Sequence, residues 1–126
     1  MRSAYLVSLS ESFEEDVLQA AARLGADVRE DVAQFRDDQD RLVTIFGGLG
    51  QDGASDWRED LSAAPGSGPC PDLGTAVAVA IECRWQNLFA SFVGRLAGLL
   101  PDPSWVVDGD GVVWPATRVD PSSVRL

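Results

Sequence analysis

Apolar positions along this chain fall into short alternating or continuous runs, separated by two longer stretches of helical period. AYLVSL, Ala4 to Leu9, is short and apolar and predicts a strand. SFEEDVLQAAARLG follows. Ser12 with Glu15 three residues on is a capping-box pattern, and Glu14, Glu15 and Asp16 load the first turn as the helix dipole favours. Phe13, Val17, Ala20, Ala21 and Leu24 mark one helical face, and Gly25 supplies the stop. The residues from Val32 to Phe35 and the run LVTIF, Leu42 to Phe46, bracket the polar turn RDDQDR and predict a hairpin.

Residues 47–74 are rich in glycine and proline and read as one long loop, with SDWREDLSAA inside it as a short helix capped by Ser55 that turns Trp57 and Leu61 inward. TAVAVAIECRW, Thr75 to Trp85, is apolar almost throughout and predicts a strand central in the sheet. NLFASFVGRLAGLL predicts the second helix, with Asn87 as its cap and a wide face of Leu88, Phe89, Phe92, Val93, Leu96, Leu99 and Leu100. A small-residue stripe of Ala90, Gly94, Ala97 and Gly98 lies beside that face. Glycine inside a helix costs about 1 kcal/mol relative to alanine, so the stripe predicts close packing, first against Ala20–Ala22 of the first helix and otherwise against a second subunit. Pro101 and Pro103 end the helix.

The last hydrophobic pattern is WVVDGDGVVW, Trp105 to Trp114. Two carboxylates between glycines suggest a calcium loop, but one starting at Asp108 needs an oxygen at its fifth position, glycine at its sixth and Glu at its twelfth, where this chain has Val112, Val113 and Val119. A hairpin fits better. With Gly109–Asp110 as a two-residue turn, Val107 faces Val112, Val106 faces Val113 and Trp105 faces Trp114. The element order is strand, helix, two strands, loop, strand, helix, two strands. It predicts one α+β domain over residues 1–126, with an antiparallel or mixed sheet and both main helices on one face, in a ferredoxin-like variant.

Composition changes this picture in three ways. The net charge is −10 and the pI about 4.2, which disfavours nucleic-acid binding. The charge is uneven: residues 1–72 hold fifteen acids and six arginines, residues 73–126 five acids and four arginines. No histidine occurs, which removes Ser-His-Asp and Cys-His sites and most zinc sites. Carboxylate-only chemistry, as in magnesium-dependent phosphoryl transfer or glycoside hydrolysis, stays open, but most of the carboxylates read as a solvated face, and neither a catalytic residue, a metal nor a cofactor is expected. Cys70 and Cys83 lack metal-knuckle spacing, and a disulfide is not expected of a chain without a secretion signal. That start, together with the lack of any run of about 18 apolar residues, predicts a cytoplasmic protein without a membrane span.

Gly48, Gly50 and Gly53 satisfy G-x-G-x-x-G after LVTIF. No acid-ended strand follows about 20 residues on, and Asp52 and Asp56 would repel phosphate, so a dinucleotide site is not expected.

The C-terminal stretch LLPDPSWVVDGDGVVWPATRVDPSSVRL resembles the endings of small acidic proteins of actinobacterial genomes, some of them similar to immunity proteins that neutralise toxins of bacterial competition systems. The resemblance covers about a quarter of the chain and implies a non-enzymatic inhibitor with an acidic face for a basic protein partner. The charge asymmetry places that face on Asp37, Asp38 and Asp40 at the hairpin tip and on Asp52, Asp56, Trp57, Glu59 and Asp60 in the long loop, with Trp57 the tryptophan exposed to the partner and Trp85 in the core. The alternative is a small regulatory or ligand-binding domain acting as a homodimer.

Overall fold

The computed structural model describes residues 3–49, 55–58 and 60–126; of Ser3, Ser55 and Asp56 only the backbone is described. The fold is α+β. Chain order runs through β1 (Ser3–Ser8), α1 (Phe13–Arg23), β2 (Asp27–Arg29), β3 (Val32–Arg36), β4 (Leu42–Phe46), a 3-10 turn (Ser55–Arg58), β5 (Ser62–Ala63), β6 (Val77–Glu82), α2 (Gln86–Leu99), β7 (Ser104–Val107) and β8 (Val112–Pro115). The described strands form one mixed sheet in the order β2-β3-β4-β6-β1-β7-β8-β5, in which only the β5–β8 pair is parallel. The expected central strand is β6, held between β4 and β1. The sheet contains β2 and β5 in addition to the six strands the pattern announces. The ferredoxin-like description therefore remains an expectation beside an α+β class that is observed.

Period 2 splits the sheet residues between two cores. Ala4, Leu6, Val43, Ile45, Val79, Ile81, Val106 and Trp114 turn to one face and pack on Phe13, Val17, Ala20 and Ala21 of α1 and Phe89, Phe92, Val93 and Leu96 of α2. Both helices thus lie on one face, as expected. Val7, Ala78, Val107 and Val113 turn to the other face, where Trp57, Leu73 and Ala76 from the connection between β4 and β6 cover them. Each such large side chain, when fully buried, contributes about 1.5–3 kcal/mol.

The N-terminal ends of both helices depart from the expected caps, while Gly25 stops α1 as expected. Ser12 has φ −90 and ψ 12 because the chain enters α1 already coiled, and its hydroxyl bonds the Asp16 carboxylate at 2.9 Å rather than a backbone amide. The capping box does not form. At the other end Gly25, at φ 101, lets the Ala26 amide reach Ala21 O at 2.9 Å and its own amide reach Ala22 O at 3.0 Å, the paired closure of a Schellman stop. In α2 the cap position is Trp85, not Asn87; Asn87 lies inside the first turn with its Oδ1 on the Leu88 amide at 2.9 Å. The two glycines of the small-residue stripe do not seat closely on α1: a Cβ added at Gly94 or Gly98 meets nothing within 4 Å.

The β7–β8 hairpin is shifted one residue from the expected register. Val107 faces Val113, Val106 faces Trp114 and Trp105 faces Pro115. Gly111, at φ 77, closes a three-residue turn that takes Asp108 and Val112 as its base. The shift puts Trp114 in the helix-side core and Trp105 against the other core. Among the described residues, no helix is long and apolar enough to cross a membrane.

Candidate functional site

The acidic hairpin tip is a closed, internally bonded turn. Asp37 Oδ1 accepts the amides of Gln39 at 3.0 Å and Arg41 at 2.8 Å, and its Oδ2 takes Arg41 Nε at 2.7 Å. The Asp37 amide meets Arg41 O at 3.1 Å, and the Asp40 amide meets Asp37 O at 3.0 Å, with Asp40 itself at φ 61. Asp37 therefore builds the turn and keeps only 11% of its side chain exposed. Burial pushes its carboxyl up, but the Arg41 amide, the Arg41 guanidinium and the Gln39 amide outweigh that and hold it below the usual aspartate value. Asp38, Gln39 and Asp40 are exposed. Asp40 has only a 3.4 Å pair with Arg36, both of them largely solvated, which leaves its charge available.

The same turn recurs at the far end of the sheet. Asp108 Oδ1 accepts the amides of Asp110 at 2.9 Å and Val112 at 3.0 Å, while the Asp108 amide meets Val112 O and the Gly111 amide meets Asp108 O, each at 3.1 Å. Its second oxygen accepts Trp114 Nε1 at 3.0 Å and the Arg125 amide at 3.2 Å, and the residue is 5% exposed. The two glycine-flanked carboxylates divide their work: Asp108 fixes the turn and the C-terminal tail, and Asp110 points to solvent.

The long loop turns Trp57 and Leu61 inward, as one expectation has it, and so departs from the other, an exposed Trp57. Asp52 and Glu59 lie outside the described residues, as does the side chain of Asp56. Trp57 is 5% exposed, so its ring does not face a partner. It lies 6.2 Å from Tyr5 and under the Arg58 guanidinium at 4.6 Å, while Arg58 also donates to Ala76 O at 2.7 Å. The loop is a lid on the second core because its large apolar side chains, Trp57 and Leu73 buried and Leu49 and Leu61 partly so, are spent on burial. Asp60 is exposed, with φ 54. Asp60 and the hairpin tip belong to different surroundings: the tip borders α2, on one face of the sheet, and the loop covers the other.

Sequence reasoning placed Trp85 in the core, yet it is 36% exposed and lies under the Arg41 guanidinium at 5.7 Å. It sits at the hinge between β6 and α2, where the apolar run continues after the sheet has ended. Beside it, a groove of about 290 Å³ is lined by Phe35, Asp37, Arg41, Asn87, Ser91 and Arg95, among others. Nothing in the hairpin alone announces it. The signal was the i, i+4, i+8 spacing of Asn87, Ser91 and Arg95, a polar stripe on an otherwise apolar helix.

The glycine motif has its first amide occupied: Gly48 N–H donates to Glu14 Oε1, and Gly47 N–H to Asp31 O at 2.7 Å. Gly50 and Gly53 lie outside the described residues. Both cysteines are free, Cys70 exposed and Cys83 buried, and burial pushes the Cys83 thiol up. Among the described residues, no group of three His, Cys, Asp or Glu side chains converges as metal ligands would. Comparison with protein-family models, with curated proteins and with solved structures finds no match to this chain.

Proposed function

We propose that this chain is a non-enzymatic protein-binding module of the immunity type, which neutralises a basic protein partner such as a bacterial toxin. The observation that carries the reading is the hairpin tip. Asp37 is consumed in bracing the turn, and Asp38 and Asp40 stand outward on a rigid frame in a chain of net charge −10. A braced loop loses little conformational entropy on docking, and an acidic tip speeds encounter with a cationic surface. Trp85 and Arg41 flank the tip, and Trp and Arg are residue types enriched at energetically dominant interface positions. The long loop covers the other face of the sheet and contributes Asp60 as a second, separate contact.

A photo-crosslinking residue placed at Gln39 tests this in producing cells, with the same residue at exposed Thr117 as control. The reading expects an adduct with one basic protein from position 39, none from 117, and loss of the adduct when Asp38→Asn and Asp40→Asn are added. Equal labelling from both positions, or an adduct indifferent to the two charges, contradicts it.

A further inference from the structure

β2 is the outermost described strand at its end of the sheet and pairs only with β3. The turn Glu30–Asp31 closes on the Arg29–Val32 pair. A two-residue turn closes on a hydrogen-bonded pair, and such pairs alternate along an antiparallel ladder. Asp27 and Arg29 therefore bond toward β3, and the N–H and C=O of Val28 point outward. Neither group bonds outside the ladder among the described residues. Period 2 sorts the side chains of this edge. Ala26 and Val28 turn to the helix side, where they and Leu24 pack half-buried against the core. Asp27 and Arg29 turn to the other side and pair at 3.3 Å, with 65% and 84% of their side chains exposed. With Glu30, Val32 and Gln34 they line an open hollow of about 340 Å³.

Charge on an edge strand ordinarily blocks pairing. Here the order Asp27-Val28-Arg29 is its own complement. Two copies set antiparallel about a two-fold axis at Val28 place each Asp27 opposite the partner's Arg29 and exchange the outward N–H and C=O groups of Val28. A slip of two residues either way sets Asp27 against Asp27 or Arg29 against Arg29, and parallel in-register pairing sets like charges together at both positions. We propose that β2 is a homodimer edge, through which two copies of this chain pair antiparallel and join their sheets, with Val28 on the two-fold axis. The charges select a second copy in one register. Leu24, Ala26 and Val28 of both copies extend the apolar contact on the helix side. The strand is three residues long, so the interface falls short of the roughly 1,200 Å² of stable complexes, and the dimer is reversible.

Sedimentation velocity of the full chain between about 10 μM and about 1 mM tests this. The proposal expects a monomer–dimer equilibrium in the wild type. Asp27→Arg and Arg29→Asp each set like charges opposite one another and weaken self-association at least about tenfold. An altered net charge acts in opposite directions in these two variants, so a shared loss is not its effect. Their equimolar mixture restores the dimer as a heterodimer, which also shows that both variants are folded. The double variant Asp27→Arg/Arg29→Asp associates as the wild type does. By deuterium exchange, the Val28 amide of the wild type gains protection as concentration rises. A wild type monomeric at the highest concentration, single variants that associate like the wild type, or a mixture without dimer overturns the proposal. The hairpin tip lies at the far end of β3 from the Glu30–Asp31 turn, so Asp38→Asn/Asp40→Asn leaves the equilibrium unchanged whatever becomes of the tip as a docking site.

Discussion

Asp37 and Asp108 are the same device used twice: an aspartate at the first position of a three-residue hairpin turn that gathers the amides two and four residues on. Asp108 goes further, since its other oxygen also takes an indole N–H and the Arg125 amide, tying the tail to the sheet. Asp108→Asn turns an amide group toward four donors and is expected to cost about 2–3 kcal/mol in urea unfolding. Asp110→Asn, two residues away with only a 3.7 Å solvated pair to Arg125, is expected to stay within about 0.5 kcal/mol.

At Asp37 the prediction concerns pH. Its folded carboxyl lies below the ordinary 3.8, so its stabilising effect is whole above that value and is lost as pH falls through the lower folded one. The stability gap between the wild type and Asp37→Asn is therefore expected to be present at neutral pH and to shrink as pH falls below 3.8, as read by denaturant unfolding at each pH. These roles were half legible. Both aspartates were recognised as turn residues, but nothing in the string separates the carboxylate that points in from its neighbours that point out. The tryptophans misled for a related reason: Trp57 sits among acids yet is buried, and Trp85 follows an apolar run yet emerges where the strand has ended.

Elements were most readable where the hydrophobic period was long. α1, β3, β4, β6 and α2 follow from their patterns to within a few residues. β2 and β5 escaped because three or two residues carry no period and take their identity from a partner strand, β3 or β8. The β7–β8 register escaped because DGDG offers both a two- and a three-residue turn. The choice falls to Asp108 and to Gly111 at positive φ, the arrangement that Asp37 and Asp40 repeat.

The loop between β4 and β6 was visible as a loop, but its role as a cover was not, since that depends on the face of β1, β7 and β8 it meets. Trp57→Ala is expected to cost about 3 kcal/mol or more by denaturant unfolding, as for a large core side chain; a Trp57 that served only as a surface contact would leave stability unchanged. At the start of that loop Gly48, with φ 70, faces the Asp31 carboxylate where a Cβ would stand. Gly48→Ala is expected to lower stability by at least about 1 kcal/mol in the same assay, through the backbone conformation and the displaced Asp31 together.

Across the whole molecule, the sheet separates two surfaces that the linear charge count had merged. On one face the hairpin tip stands beside α2, Trp85 and the groove; on the other the loop seals the second core. Among the described residues the acidic half of the chain is thus not one acidic patch, and the proposed contact rests on exposed Asp38 and Asp40. Long-range attraction between this tip and a cationic partner acts mainly on the association rate and weakens as salt screens it, over about 10 Å at 0.1 M. The most direct measurement is therefore the association rate of the crosslinked partner with the wild type and with Asp38→Asn/Asp40→Asn across a range of ionic strength. The account predicts a slower rate and a flatter salt dependence in the variant, with unfolding stability unchanged; identical rates and identical salt slopes would contradict it.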